Sequence, residues 1–534
     1  MYKLSATDAG FLYGESERTP MHVASVQIME LPAGIGEDEF IVGLKAFLTA
    51  RAHLVPYLTN KLQFLPMGID HPVWVRDPNF DIDNHVRRLD IAAPGGLSEL
   101  EDAVAALHQQ RLERDRPLWD LVVLCGLQGG RVAYYSRAHH ACLDGVAGQA
   151  ATQILMDTSP EPREIKPTEA EFEARTAQYN LAQLWVGALE NFFKIGINQG
   201  LSAARGMESA ARMIQRSLHP LDRFGAMLDA APRTRFNGSV GKTRTYAVGE
   251  MSMVDVKAIA KTLGGTVNDV FMTISGGALR RYFERAGELP TTTLIAGCPV
   301  SLRKPGDSLM NNQVTMMQVA LGTHIEHPAI RLCFVQMSAI AAKGVTADVF
   351  ANLETNIAFP GLPALVSIGT RLAENLDVAR GISMPFNLVI SNIPGPRETL
   401  YSNGARMLTH YPVSIPTHGN AVNLTVQSYN GVLYFSLTAC AKALPDARVL
   451  RDDLLAEFEA MCTLVIPALA KQAPAGTATE VAVPEARKPA RPLEPVAESA
   501  SKKPRLEWKQ PLSEASNSEG HGNSTPHGSN MLSR

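Results

Sequence analysis

No pair of cysteines in this chain is spaced to hold a metal or to exchange electrons. The six (residues 125, 142, 298, 333, 440 and 462) stand apart, mostly inside apolar runs, without a Cys-x-x-Cys. They read as buried thiols in a reducing compartment, and no metal site is expected. A nucleic-acid partner is excluded by charge, since the net value is −3 and no Lys/Arg run is interleaved with aromatics. A Gly-x-Ser-x-Gly elbow is absent, so a serine nucleophile of the hydrolase kind is not expected. The opening residues Met1 to Asp8 lack a basic region followed by an apolar core, so no secretory signal is expected and the protein is placed in the cytoplasm. Long apolar runs are missing too. The stretch bearing Leu181, Leu184-Trp185, Leu189 and Phe192-Phe193 is interrupted by polar residues, and no spanning helix is assigned.

What is present is size and one dense motif. A chain of 534 residues exceeds one ordinary core, and its 45% hydrophobic content suffices for two. The motif is Arg137-Ala138-His139-His140-Ala141-Cys142-Leu143-Asp144-Gly145. The β-prone run Val132-Ala133-Tyr134-Tyr135 leads into it, and Val146, Ala150 and Ile154-Leu155 follow at helical spacing. A strand therefore ends at the histidine pair and a turn opens a helix, which aims an imidazole outward. A neutral imidazole titrates near working pH, so His140 is the candidate general base. Asp144 is assigned to structure, fixing the local backbone or pairing with an arginine. Gly145 allows a close approach or an unusual backbone conformation. A metal role for His139, His140 and Asp144 is disfavoured, because adjacent strand residues point to opposite faces.

His139 to Gly145 resembles the HHxxxDG signature of the CoA-dependent acyltransferase superfamily, which includes chloramphenicol acetyltransferases, carnitine acyltransferases and peptide-synthetase condensation domains. Within it the chain resembles the bacterial wax ester synthase/diacylglycerol acyltransferase family. The supporting segments are Leu4-Ser5 through Met21-His22, Pro117-Leu118-Trp119, Pro232 to Gly238, Thr266-Val267-Asn268-Asp269, Pro299-Val300-Ser301-Leu302-Arg303 and Ser391 to Pro396. At Leu309-Met310 the chain departs from the family, where a glycine is expected before Asn311-Asn312.

The resemblance implies a mixed α/β fold of two chloramphenicol-acetyltransferase-like domains, each a mixed sheet covered by helices, joined by a helical linker. The expected boundaries are 1–175, with the motif; 176–238, the linker; 239–470, the second domain; and 471–534, a disordered tail. The implied reaction moves a fatty acyl group from acyl-CoA, a co-substrate, to a long-chain alcohol or a diacylglycerol, with no bound cofactor. His140 would act as base in a direct transfer, supported by His139, Asp144 and Gly145. Pro117, Leu118, Trp119, Asn268, Asp269, Ser301 and Arg303 are substrate-binding or site-shaping candidates. Asn268-Asp269 also reads as an ordinary helix N-terminus, and Arg303 as a partner of CoA phosphates, of an acid or of solvent.

Along the chain, residues 4 to 22 read as a short helix, a loop and the start of a strand, and Glu39 to Leu54 as a helix. Ser98 with Glu101 gives a capping-box pattern for a helix running towards Arg116 and stopping at Pro117. His22, His53, His85 and His108 are isolated and read as core histidines. Arg244 to Val248 and Thr291 to Cys298 read as strands, Val254 to Leu263 as a helix ended by Gly264-Gly265, and Asn268-Asp269 as the start of another. Asn430-Gly431 between two alternating runs signals a hairpin, and Asp446 to Cys462 a closing helix. After Lys471 the composition is rich in Ala, Pro, Glu and Ser and expected to be dispensable for catalysis. The apolar helices before residue 218 either pack between the halves or lie in a membrane interface, so attachment to the inner membrane or lipid inclusions stays open. Two rivals accompany the acyl-CoA reading: a condensation-type enzyme using carrier-bound substrates, and a lipid-surface protein without catalysis.

Overall fold

A computed structural model describes residues 2–64, 71–165, 230–301, 312, 314–350 and 384–472. All of them belong to one compact unit, Met1–Ala473. The helical linker expected from 176 lies outside these residues as far as 229, and so does the tail from 473.

The first half is built on the strands β1 (Tyr2–Lys3), β2 (His22–Glu30), β3 (Asn60–Gln63), β4 (Val73–Arg76), β5 (Val86–Asp90), β6 (Trp119–Leu127) and β7 (Arg131–His139). Its helices are α1 (Ala6–Gly14), α2 (Glu37–Arg51), α3 (Leu97–His108) and α4 (Gly145–Leu155). The second half contributes β8 (Arg244–Ser252), β9 (Ile295–Ser301), β10 (Val314–Ala320), β11 (Leu388–Ile393), β12 (Tyr401–Ser402), β13 (Ala405–Met407), β14 (Tyr411–Val413), β15 (Val422–Tyr429) and β16 (Val432–Cys440). Its described helices are α5 (Met253–Leu263), α6 (Val267–Arg285), α7 (Pro328–Phe350) and α8 (Ala447–Gln472).

Two large mixed sheets result, as the resemblance implies. The first runs β12-β13-β2-β7-β6-β5, with β14 also on β2, and only β5 and β6 are parallel among its pairs. The second runs β10-β9-β11-β15-β16-β8, with β11 parallel to both β9 and β15. Each has its own core: Phe40, Leu44, Val104, Val122 and Tyr135 in the first, Phe271, Ile274, Leu332, Leu424 and Phe435 in the second. The expected hairpin is present, Asn430 and Gly431 turning with φ of 45° and 83° between β15 and β16. Gly264 ends α5 at φ 78°, a conformation that favours glycine.

Several expectations are corrected. α3 starts two residues earlier than the Ser98/Glu101 pattern implies: Gly96 is its cap, and the Glu99 carboxylate accepts from the Gly96 N–H at 2.8 Å. It also ends at His108, not near Pro117. Glu101 is instead buried between the halves, accepting from the Val248 N–H at 2.9 Å and from Arg448 at 2.7 Å. The free edge strand β8 thus meets a carboxylate rather than water. β9 covers 295–301, later than expected, and α8 continues ten residues beyond Cys462, to Gln472. The largest departure is the excursion Tyr401–Val413, whose three short strands join the first sheet, β13 and β14 on β2 and β12 on β13. The second half therefore clasps the first through backbone hydrogen bonds.

His108, His139 and His410 are buried, and burial pushes each imidazole from 6.5 down to about 3. An unfolded chain takes up protons at these sites near pH 6.5, but the folded chain does not until about 3. Stability is therefore complete above the unfolded value and is lost as pH falls between the two. Calorimetry from about pH 8 to about pH 4 should find a thermal midpoint that is level and then declines. A midpoint level throughout would contradict this.

Candidate active site

β7 delivers the histidine pair to the seam between the halves. His139 is its last residue, opposite His22 of β2, and its N–H donates to the Leu118 carbonyl at 2.9 Å. The next N–H, that of His140, donates to the Met21 carbonyl at 2.7 Å, and Cys142 N–H turns back to the His139 carbonyl at 2.8 Å. Asp144 then caps α4: its Oδ1 accepts from the Ala147 N–H at 2.8 Å, and the residue is 1% exposed. The turn is closed at both ends by main-chain bonds. The motif arginine, Arg137, pairs with Asp120, not with Asp144. A Cβ at Gly145 would sit 2.8 Å from the Ile393 Cδ1 of the second half, so a larger residue there requires that side chain to shift. The Gly145 backbone is not in the left-handed region.

The two imidazoles differ as strand alternation requires. His139 is fully buried, with Nε2 3.6 Å from the Glu15 carboxylate, which Arg114 holds at 2.7 Å. Its Nδ1 accepts the Ala141 N–H at 3.1 Å, so that nitrogen presents its lone pair to the main chain. His140 is half-buried and stacks on Phe11, ring centroids 4.0 Å apart and planes within 2°. Burial lowers its pKa below the ordinary imidazole value. Hydrogen bonding with its own carbonyl, the charges of Asp144 and Asp8, and the Asn312 side chain all oppose that. It is the neutral, proton-accepting form at neutral pH. Its carbonyl accepts from Asn312 Nδ2 at 2.6 Å, so this turn also bonds to the second half.

Of the remaining candidates, Leu118 bonds directly to the turn. Leu118 is fully buried and its carbonyl holds His139, while Trp119 Nε1 donates to the Leu58 carbonyl at 3.0 Å. Asp269 accepts from both the N–H and the hydroxyl of Thr266, at 2.9 and 2.8 Å, so Thr266 is the cap of α6 and Asp269 its reciprocal partner. Asn268 Oδ1 accepts from Asn392 Nδ2 at 3.4 Å, which brings two distant sequence segments together. Ser301 ends β9 at the surface, and Arg303 lies outside the described residues.

Residues given no role in the sequence reading are Asp8, Phe11, Glu15, Arg114 and Asn312. For Asp8, Phe11, Glu15 and Asn312 only their place in segment 4–22 or beside Asn311 could have signalled them; nothing near Arg114 in sequence did. His85 and His108 are satisfied core histidines, bonded respectively to the Trp119 carbonyl at 2.8 Å and to the Tyr135 hydroxyl at 2.9 Å and Ser414 carbonyl at 2.8 Å. His22 is different. It is fully buried beside His139, edge-on to His108 at 4.5 Å, and neither ring nitrogen has a hydrogen-bond partner among the described residues.

Asp144→Ala removes a cap and strands a buried N–H, so a loss of about 1–3 kcal/mol is expected. Activity should fall with it through the displaced turn. Asp144→Asn should be milder, because its Oδ1 still accepts. Urea denaturation with activity per folded molecule checks this; an inactive alanine variant of wild-type stability would point to direct chemistry.

Paired mixed sheets with an outward histidine on an HHxxxDG turn at their seam define a two-domain acyltransferase class. Residues 4–271 match the model of the wax ester synthase/diacylglycerol acyltransferase catalytic domain, and 310–462 that of the family's C-terminal domain. A putative diacylglycerol O-acyltransferase of Mycobacterium tuberculosis is 32% identical over 451 residues, covering 84% of this chain and 87% of the relative. The solved wax ester synthase/diacylglycerol acyltransferase of Marinobacter aquaeolei is 26% identical with a TM-score of 0.61, covering 87% of this chain and 99% of its own. The first condensation domain of the CDA synthetase shares the fold at a TM-score of 0.52 and 14% identity, covering 86% of this chain and 94% of its own. The chain belongs to the wax ester synthase/diacylglycerol acyltransferase family and is an acyltransferase.

Proposed function

We propose that this acyltransferase moves a fatty acyl group from acyl-CoA to the hydroxyl of a long-chain alcohol or a 1,2-diacylglycerol, with His140 as general base. The acceptor oxygen loses its proton to the imidazole as it attacks the thioester carbonyl. The tetrahedral oxyanion collapses, the C–S bond breaks, and the imidazolium returns the proton to the CoA thiolate. No acyl-enzyme is needed. The observation that carries this reading is the placement of the His140 imidazole stacked on Phe11, with the residue's main-chain N–H and carbonyl both bonded at the seam. Purified full-length protein supplied with palmitoyl-CoA and either hexadecanol or dipalmitoylglycerol should form wax ester or triacylglycerol and release CoA. No product from either acceptor, with turnover of a carrier-bound acyl group onto an amine, would favour the condensation-type reaction instead.

Peripheral contact with a lipid surface is part of the proposal. Among the described residues no helix is long and apolar enough to cross a membrane. α7 nonetheless exposes Ile330, Met337 and Ile340 at 59%, 54% and 72%, at spacings of one helical face, with Cys333 between them. Replacing these three by serine should reduce co-flotation with phospholipid vesicles; undiminished flotation would remove the face from the proposal.

A further inference from the structure

We infer that Asn312, supplied by the second half of the chain, is a positioning residue for the general base: its amide, locked on Asp8, grips the His140 carbonyl and fixes the imidazole at the seam. The inference rests on the reading of His140 as base.

The geometry is over-determined in one direction. The Asn312 main-chain N–H and its Nδ2 both donate to Asp8 Oδ1, at 3.0 and 2.6 Å, and the same Nδ2 donates to the His140 carbonyl at 2.6 Å. Carboxylate and carbonyl oxygens only accept, so the amide can face them solely through its nitrogen. Asp8 is itself held, its other oxygen accepting from the Ser5 hydroxyl at 2.6 Å at the start of α1. One turn further along α1, Phe11 carries the imidazole. The base is thus held by separate elements: ring on α1, N–H on Met21 and carbonyl on Asn312.

Two observations separate this from simple glue between the halves. First, Asn312 Oδ1 is buried without a hydrogen bond of good geometry among the described residues, a standing cost that an apolar side chain would avoid. The donors are what the site retains. Second, the halves are clasped independently, by β13 and β14 on β2 and by Glu101 with Arg448 and Arg451. Loss of Asn312 therefore need not part them.

The test uses full-length protein with palmitoyl-CoA and hexadecanol. Asn312→Ala should lower kcat about 10- to 100-fold with KM for both substrates unchanged, because misplacing a reacting group slows chemistry without weakening binding. Asn312→Leu, which keeps the volume and removes the donors, should match it and covers the case in which the alanine variant does not fold. In a double variant with His140→Ala, the Asn312 change should add no further loss. A wild-type kcat in folded Asn312 variants, alongside an inactive His140→Ala, would overturn this inference alone. So would a raised KM at constant kcat, or multiplying losses in the double variant. Full activity of His140→Ala would instead remove the general-base reading itself.

Discussion

His140→Ala should yield a folded protein whose turnover of acyl-CoA with alcohol or diacylglycerol is lower by about 10²- to 10⁴-fold. The turn keeps its shape because it is held through the main-chain groups of His140, its N–H donating to Met21 and its carbonyl accepting from the Asn312 side chain, and neither needs the imidazole. What disappears is the group that takes the hydroxyl proton, along with the ring stacked on Phe11. His139→Ala should behave differently, since it strands the Ala141 N–H and empties a buried site against Glu15. Its cost falls on stability first. In the wild type, burial holds the His140 pKa below the ordinary imidazole value, so kcat/KM should rise with pH through that lowered value and level off by neutrality. Turnover of His140→Ala near the wild-type rate, with native circular dichroism, would refute the assignment.

The parts of this site that are local in sequence were legible there. A β-prone run, two histidines, an acid and a glycine describe a strand, a turn and a capped helix, and β7 and α4 follow that description closely. Gly145 shows where local reading stops: the residue type hints at a close approach, but only the fold identifies the Ile393 side chain that lies against it. Glu101 shows how a local pattern misleads. Ser98-x-x-Glu101 has the form of a capping box, yet the carboxylate lies between β8 and Arg448, whose numbers are hundreds away. The strands from Tyr401 to Val413 are two or three residues long, too short for a period, and β13 and β14 find their partner in the opposite half's β2. Asn312 is hidden for the same reason, because nothing near it in sequence records that it bonds to residues 8 and 140.

Arg137→Leu should destabilise the protein by about 3–5 kcal/mol, the cost of breaking a buried ion pair from one side. Arg137 lies two residues before His139, 4% exposed, opposite Asp120 of β6. Its guanidinium donates to both Asp120 oxygens, at 2.7 and 2.9 Å, and to the carbonyls of Leu107 and Gln110 where α3 ends. It therefore ties the strand that carries the base to the helix that meets the second half. Leucine fills most of the space but leaves a carboxylate and two carbonyls without their donor. Arg137→Lys should fall between, because a point charge cannot serve all three in the same fork. Adding Asp120→Leu to Arg137→Leu should restore part of the loss, since the stranded charge is gone and the Leu107 carbonyl still accepts from the Gln110 N–H. Urea denaturation measures all three. Activity per folded molecule, well below the transition, should stay near wild type because Met21 and Asn312 still hold the turn. A single-variant loss below about 1 kcal/mol would mean that Asp120 keeps adequate company in solvent and in Arg87, 3.5 Å away, and that the end of β7 is fixed by its backbone ladder alone.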